Sequence, residues 1–86
     1  MKGLETVYNE STEKLNVIGP KLREIRIKRN MSQCVLAQKV TERGMPRSTA
    51  TICKIERQQR SVFDYEIQLF AEVLNVPIEE FYKKVM

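Results

Sequence analysis

The side chains able to do chemistry are concentrated in one stretch. Ser32-Gln33-x-x-Leu36-Ala37 is followed by Ser48-x-x-x-Ile52-x-Lys54-Ile55-Glu56-Arg57. Each run opens with a hydroxyl that can accept a free backbone N–H of a helix's first turn, so each marks the start of a short helix. The chemistry on offer is non-covalent. It consists of amide, hydroxyl and cationic donors, carried on helices whose N-terminal ends attract anions. Two such helices in succession form the pattern of a helix-turn-helix, in which one helix braces another so that its exposed start can enter the major groove of DNA.

The rest of the inventory argues against bond-making chemistry. The chain has no histidine, and Cys34 and Cys53 are its two cysteines. A structural zinc site needs four Cys or His ligands, so no metal and no cofactor are expected. Nothing is arranged to move a proton or polarise a bond, and the expectation is that the protein is not an enzyme. Ser11-x-x-Lys14 matches a penicillin-binding serine motif by spacing only and lacks the partner motifs. Both cysteines fall within predicted helices, which suits reduced thiols and a cytoplasmic location. Cys53 is read as a small packing residue rather than a redox switch.

Hydrophobic residues make up 42% and charged residues 30% of the 86 positions, the balance of a folded chain rather than a disordered one. That length supports one modest core and no second lobe. The formal charge of +4 and sequence pI of about 9.3 suit a polyanionic partner without requiring one. No apolar run approaches a membrane span, and Met1 to Gly19 is too polar for a secretory signal, so no membrane association is expected.

Five helices have to position these groups. Residues 1–17 are expected to be an N-terminal arm or a short extra helix, since Leu4, Val7, Tyr8 and Leu15 form a stripe that Asn9, Ser11 and Thr12 interrupt. The folded domain is expected over 18–86. Gly19 reads as an N-cap with Pro20 at the first helical position. Leu22, Ile25 and Met31 should face inward, while Lys21, Arg23, Lys28 and Arg29 face water, and Asn30 should end the helix. Val35, Leu36 and Val40 follow at helical spacing, with small Ala37 at a close approach and Gly44 as the stop, then Met45 and Pro46. Ser48 opens the third helix, whose core side is Ile52 and Ile55. A fourth helix from Asp64 to Leu74 should bury Ile67, Phe70, Ala71 and Leu74, and Val76-Pro77-Ile78 should open a last short one packing Phe81. With no period-two alternation, the fold class is all-α.

These residues resemble a known family. Arg26, Ser32-Gln33-x-x-Leu36-Ala37, Ser48-x-x-x-Ile52-x-x-Ile55-Glu56 and Ile67-x-x-x-Ala71-x-x-Leu74-x-Val76 are similar to the ordered motifs of the Cro and phage-repressor-like (xenobiotic-response-element, XRE) helix-turn-helix family. The resemblance covers Ile18 to Tyr82, about three quarters of the chain. It implies a five-helix lambda-repressor-like DNA-binding domain preceded by a short N-terminal arm. Three departures stand out. The connection from Lys39 to Ser48 is longer than a simple turn and resembles a subgroup with an extended turn, which also has the Arg-x-Val-x-Asp-Tyr-Glu run seen from Arg60 to Glu66. Gln58 stands where the family usually has glycine, and Phe63 where a capping Ser or Thr is common.

The resemblance implies roles residue by residue. Base readers map onto Thr49, Ala50 and Lys54: Lys54 can donate to guanine O6 and N7, and the Ala50 methyl can touch a thymine methyl. Phosphate anchors map onto Gln33, Arg47, Thr51, Arg57 and Arg60, with an exposed arginine lacking any contact as the competing reading for Arg47 and Arg60. Arg26 and Glu56 are implied to form a buried structural ion pair between helix 1 and the end of helix 3. The function expected is a sequence-specific double-stranded-DNA-binding transcriptional regulator, a repressor acting as a homodimer. The alternative is an antitoxin or protein-interaction module, with the N-terminal arm, Phe63 and the Phe81-Tyr82 end as interface and a protein as partner.

Overall fold

The computed structural model describes residues 14–85. Four α-helices, α1 (Gly19–Lys28), α2 (Gln33–Glu42), α3 (Thr49–Glu56) and α4 (Asp64–Leu74), are followed by a 3₁₀ helix (Ile78–Tyr82). No strand occurs among the described residues. The all-α expectation holds, with one adjustment: the fifth element is a five-residue 3₁₀ helix rather than an α-helix. Pro77 leads into it and the chain is extended again at Lys83. Leu4, Val7, Tyr8 and the Ser11 end of the serine-like motif lie outside the described residues.

The helix starts differ in how they are capped. Ser32 accepts the Val35 N–H at 3.0 Å and Ser48 accepts the Thr51 N–H at 3.1 Å, as the sequence implied. The start of α1 departs from expectation. Ile18 is its N-cap, and Gly19 and Pro20 are already helical. Because Ile18 has no polar side chain, Asn16 Oδ1 supplies the missing acceptor for the Gly19 N–H at 2.8 Å.

All four helices stop in the same way. At each C-terminus one residue adopts positive φ: Asn30, Gly44, Gln58 and Asn75. Each is accompanied by a pair of reverse hydrogen bonds, for example Met31 N–H to Arg26 O and Asn30 N–H to Ile27 O, which is the Schellman arrangement. Gln58 therefore occupies the left-handed position that favours glycine, at a cost of about 1 kcal/mol.

The core is formed by Ile18, Leu22 and Ile25 of the first segment, Leu36, Ala37 and Val40 of α2, and Ile52 and Ile55 of α3. Met45 of the α2–α3 connection, Ile67, Phe70, Ala71 and Leu74 of α4 and Phe81 of the 3₁₀ helix complete it. α2 and α4 pack against each other, α3 packs on both α1 and α2, and the 3₁₀ helix closes over α1 and α4. Three expectations need correcting. Val35 is 38% exposed, since it falls beside the stripe of Leu36 and Val40 rather than on it, and Met31 is only half-buried. Lys21, expected to face water, is buried. It lies four residues before Ile25, on the core side of α1, and its ammonium pairs with Glu24 at 2.6 Å and donates to the Lys84 carbonyl at 3.3 Å.

Candidate nucleic-acid interface

α3 is anchored by one side and by both ends. Ile52 and Ile55 are fully buried, and this turns Thr49, Ala50, Lys54 and Arg57 out to solvent. At its start, the Ser48 hydroxyl meets both the Thr51 N–H and, at 3.1 Å, the Thr51 hydroxyl. Thr51 is half-buried. Lys54 and Arg57 are exposed, and among the described residues neither cationic end is taken up by a hydrogen bond or ion pair. The helix thus presents two unneutralised cations, a hydroxyl and a methyl on one outward face.

Its far end is held by Glu56. Arg26 Nε donates to Glu56 Oε2 at 2.7 Å and Arg26 Nη2 to Oε1 at 3.0 Å, a two-pronged contact between nearly buried side chains. Arg26 Nη1 goes on to the Met31 carbonyl at 2.8 Å. Gln33 Nε2 also donates to Glu56 Oε1, at 2.9 Å. One carboxylate therefore joins the end of α1, the start of α2 and the end of α3. The sequence led us to expect the Arg26–Glu56 pair. The amide nitrogen of Gln33, a residue expected at a phosphate, donates to Glu56 here.

Gly19 explains how closely these parts approach. A Cβ there would press against the Ile55 and Glu56 carbonyl oxygens, the latter at 2.9 Å. Asn16 reinforces the joint, with its Nδ2 donating to the carbonyls of Ile55 at 2.9 Å and Arg60 at 2.8 Å. The backbone also pairs there, through Leu15 N–H to Gln58 O at 3.0 Å.

A second carboxylate was missed by the sequence reading. Glu66, in the first turn of α4, has no exposed surface. It accepts from Arg47 Nε at 2.6 Å and from Arg60 Nη1 and Nη2 at 3.1 and 3.0 Å. It also takes the Phe63 N–H at 2.8 Å. That last bond is one half of a capping box; Phe63 lacks the side-chain acceptor for the other half. Burial pushes the Glu66 carboxyl upward, but the hydrogen bonds from Arg60, the Phe63 N–H and Arg47, with the Arg60 charge, outweigh it and leave the group below the usual glutamate range. Arg47 and Arg60 are consequently not the free surface arginines of the competing reading. The local signal was the Glu three residues after the helix-start position, within the Arg60-to-Glu66 run; nothing local indicated Arg47.

The connection between α2 and α3, residues 43–48, is fastened by Thr41. Its hydroxyl accepts the Arg47 N–H at 3.1 Å and lies 3.3 Å from the Arg47 carbonyl. This is how a turn longer than usual still delivers Ser48 and α3 in a defined place.

A search of solved structures finds a match to this arrangement. The crystal structure of the DNA-binding domain of BldD aligns with a TM-score of 0.65 and 25% sequence identity, over 79% of this chain and 92% of that one. The fold is that of a helix-turn-helix domain. No protein-family model matches the chain, and no curated protein matches it. Among the described residues no group of acidic, Cys or His side chains could hold a metal ion, and no helix is long and apolar enough to cross a membrane.

Proposed function

We propose that this protein is a sequence-specific transcriptional regulator that binds double-stranded DNA with α3 in the major groove. The observation that carries this reading is the outward face of α3. Its cations are unpaired and exposed, while its other side and both ends are locked into a fold shared with the DNA-binding domain of BldD. In this reading Lys54, Thr49 and Ala50 meet base edges. Thr51 and Arg57 meet phosphates, with Arg47, Arg60 and the Gln33 end of α2 as flanking anchors. The proposed family is the Cro and phage-repressor-like one, in its subgroup with an extended turn. The proposed effect is repression, in the cytoplasm, by occupying DNA that other proteins must reach.

One α-helix in one groove reads few base pairs, so the acting species is proposed to be a homodimer on half-sites roughly 34 Å apart. A second reading, a protein-interaction module of the antitoxin kind, is favoured by one observation: Phe63 and Tyr65 are both exposed and stack on each other, ring centres 5.4 Å apart. Of the other interface residues suggested for it, Tyr82 is exposed but Phe81 is buried in the core.

Selection of bound duplexes from random DNA, followed by titration at several salt concentrations, tests the first reading. Lys54→Ala should cost about 1–3 kcal/mol on the selected site and flatten preference at one base pair. Arg57→Ala should weaken all sequences alike and reduce the salt slope by about one phosphate equivalent. Equal losses for Lys54→Ala on selected and scrambled duplexes would remove the base-reading assignment. Sedimentation showing a monomer both free and on the selected site would remove the dimer.

A further inference from the structure

Glu66 contacts neither the solvent nor the outward face of α3, yet it connects the two segments that bracket that helix. Arg47 immediately precedes the Ser48 cap, and Arg60 lies in the loop that follows α3. Both guanidinium groups end on the same fully buried carboxylate. Their other donors are partly committed to local carbonyls, Arg47 Nη1 to Pro46 at 2.6 Å and Arg60 Nη1 to Ser61 at 2.8 Å. Two positive charges therefore share one negative charge, and the surplus is one. Both arginine side chains retain some exposure, 17% for Arg47 and 28% for Arg60. Among the described residues the Nη2 of Arg47 has no hydrogen-bond partner, so a donor of the cluster remains for an outside acceptor.

We propose that Glu66 is a positioning residue for the DNA-reading helix, clasping Arg47 and Arg60 so that both flanks of α3 and one surplus positive charge are held in register for a backbone phosphate. The inference rests on the DNA-binding reading above. Its physical basis is the division of labour in such interfaces. Phosphate contacts fix how a helix sits in the groove, and only a helix seated in one way can distinguish base pairs. An arginine on a free side chain still attracts DNA but imposes no register. A buried carboxylate converts two such arginines into fixed points, four hydrogen bonds holding it to Arg47, Arg60 and the Phe63 N–H.

Glu66→Gln separates charge from position. The substitution keeps the shape of the side chain and leaves both Arg47 and Arg60 without their negative partner. On the full chain, at a temperature where circular dichroism shows the variant folded, affinity for a scrambled duplex should be kept or raised, with a salt slope no smaller than that of the unaltered protein. Preference for the selected site over the scrambled one should fall about tenfold or more, the worth of a good base contact. A role confined to folding would lower the melting temperature and leave that preference intact, so a folded Glu66→Gln protein with unaltered preference overturns the proposal. If Glu66→Gln does not fold, Arg60→Ala, which leaves the Arg47–Glu66 contact in place but removes the surplus charge, should reduce the salt slope by about one phosphate equivalent and lower the preference for the selected site as Glu66→Gln does; an unaltered preference overturns the proposal. Failure of the underlying reading looks different: the unaltered protein would then show no preference for any selected duplex, and the positioning role would fall with it.

Discussion

Removing Glu56 should take a large share of the domain's stability, and the reason is the charge left behind rather than the bonds lost. Glu56→Ala leaves the Arg26 guanidinium, whose side chain is 9% exposed, with the Met31 carbonyl as its remaining partner. A buried ion stripped of its partner costs about 3–5 kcal/mol. A domain of this size has about 5–15 kcal/mol in total. Each kcal/mol shifts the melting temperature by about 4–8 °C at this length, so the midpoint should fall by more than about 12 °C. Gln33→Ala removes one donor from a carboxylate that keeps both Arg26 bonds, and about 1 kcal/mol is expected. The decisive variant is Arg26→Met combined with Glu56→Leu. It removes both charges and leaves apolar side chains of similar length, so it should be milder than either single removal. Thermal and urea unfolding followed by circular dichroism give all four values. The reasoning is refuted if Arg26→Ala and Glu56→Ala each cost less than about 1 kcal/mol, or if the double variant is as unstable as the sum of the two.

Gly19→Ala should destabilise by about 1–3 kcal/mol in urea unfolding, since the new methyl meets backbone carbonyls of Ile55 and Glu56 that cannot rotate away. Gln58→Gly should be close to neutral, because relief of about 1 kcal/mol at a positive φ is offset by loss of the Gln58 Nε2 bond to the Asn16 carbonyl. Gln58→Ala keeps the strain and loses the bond, and should cost about 1 kcal/mol by the same measurement. Glu66 titrates lower in the folded chain than in the unfolded one, so its contribution is complete above the ordinary glutamate range and disappears as pH falls through the lowered folded value. Stability measured against pH should therefore show a shallower acid limb in Glu66→Gln, and an unchanged limb would contradict the buried clasp.

What the residue order made legible was whatever depends on neighbours a turn apart. Ser32 and Ser48 as caps, the stripes through Leu22, Ile52, Phe70 and Leu74, and Asn30 and Gly44 as left-handed stops all follow from helical spacing and backbone sterics. The outward set on α3 was equally readable, because burying Ile52 and Ile55 leaves Thr49, Ala50 and Lys54 only one direction to point. The contacts that spacing does not record share a different cause. Lys21 was assigned to solvent from its charge, but the Lys84 carbonyl, 63 positions away, comes down beside it. Asn16 lies in the segment expected to be an arm or a short extra helix, and its amide reaches 39 and 44 residues ahead. Neither Arg47 nor Arg60 has a partner that spacing records, and both meet a carboxylate, 19 and 6 residues on. In each case a polar side chain finds its partner through the tertiary fold, and no periodicity records that. The consequence reaches the site itself: helical spacing says which side chains of α3 face outward, but the hold on both ends of α3 resides in Glu56, Glu66 and Asn16, whose partners are set by packing. A sequence reading can therefore name the groups that would touch DNA and still miss the ones that decide where those groups are held.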